Sequence, residues 1–109
     1  YSAAISYGNF IFTSGQLGLI PESGEPAGED IRSQTRQALK NVQSVLEAAG
    51  TDLSHVLKTT VFLRNMDDFA AMNEIYAEFF TDECPARSAV QVAKLPRGLA
   101  VEIEVIAAI

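Results

Sequence analysis

The eight residues Val56-Leu57-Lys58-Thr59-Thr60-Val61-Phe62-Leu63 decide how the chain is read. They are rich in β-branched and large apolar side chains and contain neither glycine nor proline, so they predict a strand. Alternation puts Leu57, Thr59, Val61 and Leu63 on one face and Val56, Lys58, Thr60 and Phe62 on the other. The first set suits a cover of helices. The second mixes apolar with polar groups, as a solvated face or a face used for assembly does.

Helical periodicity flanks this strand on both sides. From Asp30 to Ala49, a stripe of Ile31, Thr35, Ala38, Leu39, Val42, Val45, Leu46 and Ala49 recurs at helical spacing. Gly50 follows where a left-handed cap ends a helix, and Asp52 to His55 read as a short turn. After the strand, Arg64-Asn65 predicts a turn and Met66 to Phe80 a second helix. Its stripe is Phe69, Met72, Asn73, Tyr76, Phe79 and Phe80. Asp67 and Asp68 fall in its first turn, where negative charge suits the helix dipole.

The two ends of the chain add strands. Residues 4–14 read as a hairpin around Gly8-Asn9, a glycine-first pair typical of tight turns. Residues 15–29, rich in Gly, Pro and Glu, read as a loop. Past Cys84-Pro85, the stretches Ser88 to Ala93 and Leu99 to Ala107 predict two more strands, joined by Lys94 to Gly98. In the last strand Val101, Ile103, Val105 and Ala107 point one way, and Glu102 and Glu104 the other. The order is therefore ββαβαββ: one α+β domain over residues 1–109, a mixed sheet with two helices on one face.

Bulk properties narrow the function. Fourteen acidic against eight basic residues give a net charge of -6, which disfavours nucleic acid, because phosphate binding needs a basic face. The single cysteine, Cys84, cannot form an internal disulfide, so nothing points to an oxidising compartment. No apolar run approaches membrane-spanning length, and no signal-peptide pattern opens the chain. A cytoplasmic protein with no membrane contact is expected. The sequence opens on Tyr1 rather than Met, which leaves room for residues ahead of it.

Few side chains are suited to chemistry. Arg87, after Pro85-Ala86 and just before a predicted strand, can present a guanidinium fork to a carboxylate; a surface or ion-paired arginine reads the same way. Glu102, mid-strand, can deprotonate a water if it lines a pocket, or else is a solvated glutamate. Asn73 interrupts an apolar stripe, so its amide must bond either a neighbouring loop or a ligand. Ser14-Gly15-Gln16 ends a strand at a glycine, beside which a ligand can approach the backbone. Ser14 has no base partner at any obvious spacing. His55, the only histidine, makes a poor metal site alone. Cys84 has no recognisable activating partner. No phosphate-loop or dinucleotide fingerprint is present. Neither a metal nor an organic cofactor is expected.

Several segments recur together in a known order. Tyr1-Ser2, Thr13-Ser14-Gly15-Gln16, Val56 to Val61, Asn73-Glu74-Ile75-Tyr76, Pro85-Ala86-Arg87-Ser88, Leu95-Pro96 and Val101-Glu102-Ile103-Glu104 span nearly the whole chain. In this order they resemble the Rid family, the reactive intermediate deaminases also called YjgF-type proteins or L-PSP ribonucleases. Pro85 to Ser88, followed fifteen positions after Arg87 by Glu102-Ile103-Glu104, is the most specific part.

The resemblance implies a chorismate-mutase-like fold assembled as a homotrimer, with active sites between adjacent subunits. It implies hydrolysis of 2-imino acids, such as 2-iminobutanoate and 2-iminopropanoate, to 2-oxo acids and ammonia. Such imines escape from pyridoxal-phosphate dehydratases, so the role would be detoxification in amino-acid metabolism. Carried over residue by residue, Arg87 would hold the substrate carboxylate and Glu102 would position the attacking water. Tyr1, Gly15, Ser14 and Asn73 would line the cleft. Ala89 stands where several members have a cysteine, so thiol chemistry there does not carry over. Two other readings stay open: an endoribonuclease that inhibits translation, and a non-catalytic trimer that binds a small acid.

Overall fold

Tyr7 and Phe10 face each other across Gly8-Asn9, so the hairpin predicted at the start of the chain is present. Gly8 has φ 58°, the positive value that such a turn places on its first residue. The computed structural model describes all residues, 1–109. Its strands are β1 (Ala4–Tyr7), β2 (Phe10–Thr13), β3 (Gln16–Leu17), β4 (Val56–Leu63), β5 (Ala86–Gln91) and β6 (Val101–Ala108). Its helices are α1 (Ile31–Ala48) and α2 (Phe69–Phe79).

The sheet order is β1-β2-β6-β4-β5, with β3 also paired to β6. All pairs are antiparallel except β4 with β5. The exception has a simple cause. β4-α2-β5 is a strand–helix–strand crossover, and a helical crossover returns the chain parallel to its first strand.

α1 starts and stops as its sequence predicts. The Asp30 side chain accepts a hydrogen bond from the Ser33 backbone N–H at 3.0 Å, and Gly50 follows the last turn at φ 90°. The core lies between α1, α2 and one face of the sheet. Leu39, Val42, Leu46, Met72, Val61 and Ile103 are all at 0% exposure. Two ion pairs, Arg32 with Glu74 and Arg36 with Glu78, link α1 to α2 at the surface.

Four local expectations are corrected. β4 carries a bulge between Val56 and Lys58, so Val56 is buried and Leu57 is exposed, the reverse of strict alternation. The second helix begins as a 3₁₀ turn over Met66–Asp68, capped by Asn65, before the α-helix starts at Phe69. β5 begins at Ala86 rather than Ser88, because its ladder with β4 runs from Lys58↔Ala86 to Leu63↔Gln91. Arg87 is therefore inside the strand rather than before it.

The fourth correction concerns residues 15–29, which are not all loop. β3 continues the line of β2 along β6. Phe12 pairs with Ile106 and Gln16 with Ile103, so one extra residue is inserted between the two pairings. That is a β-bulge at Thr13-Ser14-Gly15. The Thr13 hydroxyl takes up the Val105 N–H at 3.0 Å, replacing a ladder bond.

Polar side chains of α1 hold the rest of this segment. Asn41 donates to the Leu17 and Leu19 carbonyls at 3.0 and 2.8 Å. Gln34, 2% exposed, donates to the Gly28 carbonyl and accepts from the Ala100 N–H at 2.7 Å. Gln34 was absent from the predicted apolar stripe. A buried amide that satisfies backbone groups of distant segments carries no apolar signal.

Candidate active site

Arg87 lies on β5 with its side chain on the helix side of the sheet. Its register partner, Thr59, is wholly buried there. The Arg87 Nη1 donates to Asn73 Oδ1 at 2.7 Å. Its guanidinium carbon sits 4.6 Å from the centre of the Tyr76 ring and 5.4 Å from that of Phe69. Both are within cation–π range. Phe69, Asn73 and Tyr76 come from one face of α2, at the helical spacing read in the sequence.

Arg87 lines a cleft of ≈ 400 Å³ with Asn73, Tyr76, Ala77, Phe80, Cys84 and Pro85. It is the only charged side chain among them. Asn73 engages one edge of the guanidinium, which leaves the other edge of the fork for a carboxylate. Cys84, for which the sequence offers no activating partner, belongs to this cleft; its Sγ lies 3.4 Å from the Phe80 carbonyl.

Glu102 lies elsewhere. Thr59 pairs with Arg87 on one side and with Val105 on the other. Glu102 is three residues along β6 from Val105, an odd number, so it points to the opposite face. The two residues are not on neighbouring strands, as the chain order had implied, because β4 lies between theirs. Two strand spacings and three residue rises separate their Cα atoms by roughly 14 Å in the sheet.

A second cluster surrounds Glu102. The bulge brings Gly15 against its carboxylate, so closely that a Cβ on Gly15 would stand 2.4 Å from Glu102 Oε2. Only a glycine permits this approach. Burial, and then the like charge of Glu104, hold the Glu102 carboxyl above its ordinary value. Ser14 is tied to the chain start: its hydroxyl donates to the Ser2 carbonyl at 2.6 Å, and its N–H to that of Ala3 at 2.8 Å. These bonds hold the start of the chain beside the bulge, while the Tyr1 side chain projects into solvent.

The six predicted residues thus divide into two groups. Arg87 and Asn73 form one; Glu102, Gly15 and Ser14, with the segment carrying Tyr1, form the other. His55 belongs to neither, and its Nδ1 lies 2.9 Å from Asp52 in a surface turn. In the sequence, Tyr76 falls in the stripe of the second helix and Thr59 on the strand face that suits a cover of helices. Their contact with Arg87 required knowing that β5 runs beside β4, which the β4-α2-β5 pattern could have signalled.

The fold and these groups define a single-domain α+β protein with an arginine–asparagine cluster and a glutamate–glycine cluster on opposite faces of one sheet. The chain belongs to the family described as Endoribonuclease L-PSP, whose model matches residues 1–109. It is 52% identical over 107 residues to a RutC family protein of Pyrococcus horikoshii, covering 98% of this chain and 85% of that one. It is 50% identical over 107 residues to the mouse 2-iminobutanoate/2-iminopropanoate deaminase, covering 98% and 79%. Among solved structures, Escherichia coli TdcF with bound serine superposes with a TM-score of 0.93 at 42% identity, covering 100% and 87%.

Proposed function

We propose that this protein is a 2-iminobutanoate/2-iminopropanoate deaminase whose active sites form between copies of the chain. The observation that carries the reading is the separation of Arg87 from Glu102. Each half-site has the groups for part of imine hydrolysis, and neither has all of them.

The chemistry divides along the same line. Arg87, steadied by Asn73, binds the 2-imino acid carboxylate and orients the C=N carbon. Glu102 of a neighbouring copy takes a proton from water as its oxygen attacks that carbon. Glu102 returns that proton to the imine nitrogen, which gives the neutral carbinolamine. It then takes the carbinolamine hydroxyl proton as C=O forms and delivers it to the nitrogen, so that the C–N bond breaks and ammonia leaves with the 2-oxo acid as the other product. A carboxylate with a raised pKa suits the attack step, since it is a stronger base toward the incoming water than an ordinary glutamate. Ser14, Gly15 and Tyr1 line the water side of the site.

The open sheet face supports assembly. Ile5, Phe10, Phe12 and Val90 are exposed on it, and the apolar rows they form match a surface that another copy covers. A homotrimer is the proposed state. The family's ribonuclease description suits a basic protein better than one with net charge -6. A small-acid binder is the stronger second reading, because the Arg87 half-site is complete without Glu102.

A coupled assay tests the proposal. Purified protein should accelerate 2-oxobutanoate release from a threonine dehydratase reaction, and Arg87→Ala should abolish the effect. No acceleration by intact oligomers would leave the binder as the better reading.

A further inference from the structure

We infer that Tyr76, anchored by Thr59, is a positioning residue that fixes the plane of the Arg87 guanidinium for carboxylate recognition. The inference rests on the proposed reading of this site and states how its arginine is held.

An arginine side chain has many rotamers, and ordering it is costly. The bond to Asn73 fixes one nitrogen but leaves rotation about that contact. The Tyr76 ring, 4.6 Å from the guanidinium carbon, supplies the second constraint. A cation held over a ring face keeps its distance from that face.

The ring itself is immobilised. Its hydroxyl lies 2.8 Å from the Thr59 hydroxyl, inside the core. Thr59 is at 0% exposure and Tyr76 at 6%. The Phe80 ring backs it, with centroids 4.7 Å apart. Thr59 is also the register partner of Arg87 on the adjacent strand, which closes a triangle of three residues on three elements. A phenylalanine would fill the same core volume without a buried hydroxyl that needs a partner. The Thr59–Tyr76 bond therefore does something that packing alone does not ask for: it sets the ring under the arginine.

The test keeps the ring and changes its electrostatics. Position 76 is replaced by phenylalanine and by mono-, di- and trifluorophenylalanine, and binding of 2-oxobutanoate to the assembled protein is measured by calorimetry. Tyr76→Phe, which releases the ring from Thr59, should weaken binding by about threefold, and each added fluorine should weaken it further, by about tenfold over the fluorinated series. Equal binding by Tyr76→Phe and the unaltered protein would overturn the Thr59 anchor. In steady-state assays the loss should fall on KM rather than kcat. A neutral 2-oxo amide should bind every variant equally. A flat series, with binding abolished in Arg87→Ala, would overturn the role of Tyr76 and leave the deaminase reading standing. Binding that survives Arg87→Ala would overturn both.

Discussion

Arg87 and Glu102 stand on opposite faces of the same sheet, with β4 between their strands. No side-chain rotation within one subunit joins them over that distance. If they act on one substrate, they do so from different copies, and this shapes what mutagenesis should show.

Mixing inactive subunits tests the arrangement directly. Arg87→Ala and Glu102→Gln proteins should each be inactive. Unfolded together and reassembled in equal amounts, they should recover about a quarter of the full activity, the share of sites that draw both intact residues at random. Sites contained within one subunit would give no recovery.

Gly15→Ala should impair catalysis without impairing binding. Its Cβ would stand 2.4 Å from Glu102 Oε2 and 2.7 Å from its Cδ, so the carboxylate must move. A displacement of that order is expected to lower kcat by about 100-fold. Affinity for 2-oxobutanoate should hold, because the Arg87 cleft lies on the other face. Kinetics and calorimetry on the same preparation check both halves of the prediction.

Glu102 should leave a signature in pH. Its carboxyl titrates above the ordinary value of 4.5, through burial first and Glu104 second. The folded state therefore holds this proton more tightly than the unfolded chain. Keeping the carboxylate charged at neutral pH opposes folding, and that opposition fades as pH falls through the raised pKa. Glu102→Gln should melt at a higher temperature than the unaltered protein at pH 7, and the two should converge near pH 4. In the active protein, the acid limb of the kcat profile should lie above pH 4.5. Melting curves and a pH–rate profile read these out separately.

Gln34→Leu should destabilise the subunit despite adding apolar volume. The change strips the buried Ala100 N–H and the Gly28 carbonyl of their partner. A loss of about 1–3 kcal/mol is expected for such an orphaned group. Urea unfolding at fixed protein concentration measures it, since dissociation of an oligomer would otherwise shift the midpoint.

Much of this molecule was legible in one dimension. Asp30 and Gly50 bound the first helix as local rules require, because capping depends on neighbours within a few residues. Gly8-Asn9 closes the hairpin for the same reason. The alternation of β6 placed Glu102 and Val101 on opposite sides without any knowledge of the partner strands. The bulges were not legible, since an inserted residue shows only against the strand it faces. Leu57 thus changed sides, and Ser14-Gly15 proved to interrupt a strand that continues rather than to end one.

The chain by itself determined most of the elements and the side chains suited to chemistry: an arginine, a glutamate, an asparagine and a glycine beside a strand. Periodicity, capping and residue type are properties of neighbours in sequence. Only the tertiary structure decided how those side chains are grouped. α2 carries β5 across to the far side of β4, so Arg87 meets Asn73 and Tyr76 rather than Glu102. The bulge at Thr13 to Gly15 gives Glu102 its own surroundings on the other face. Both outcomes follow from pairing between distant segments, where register and crossover direction are set by the contacts made across the sheet.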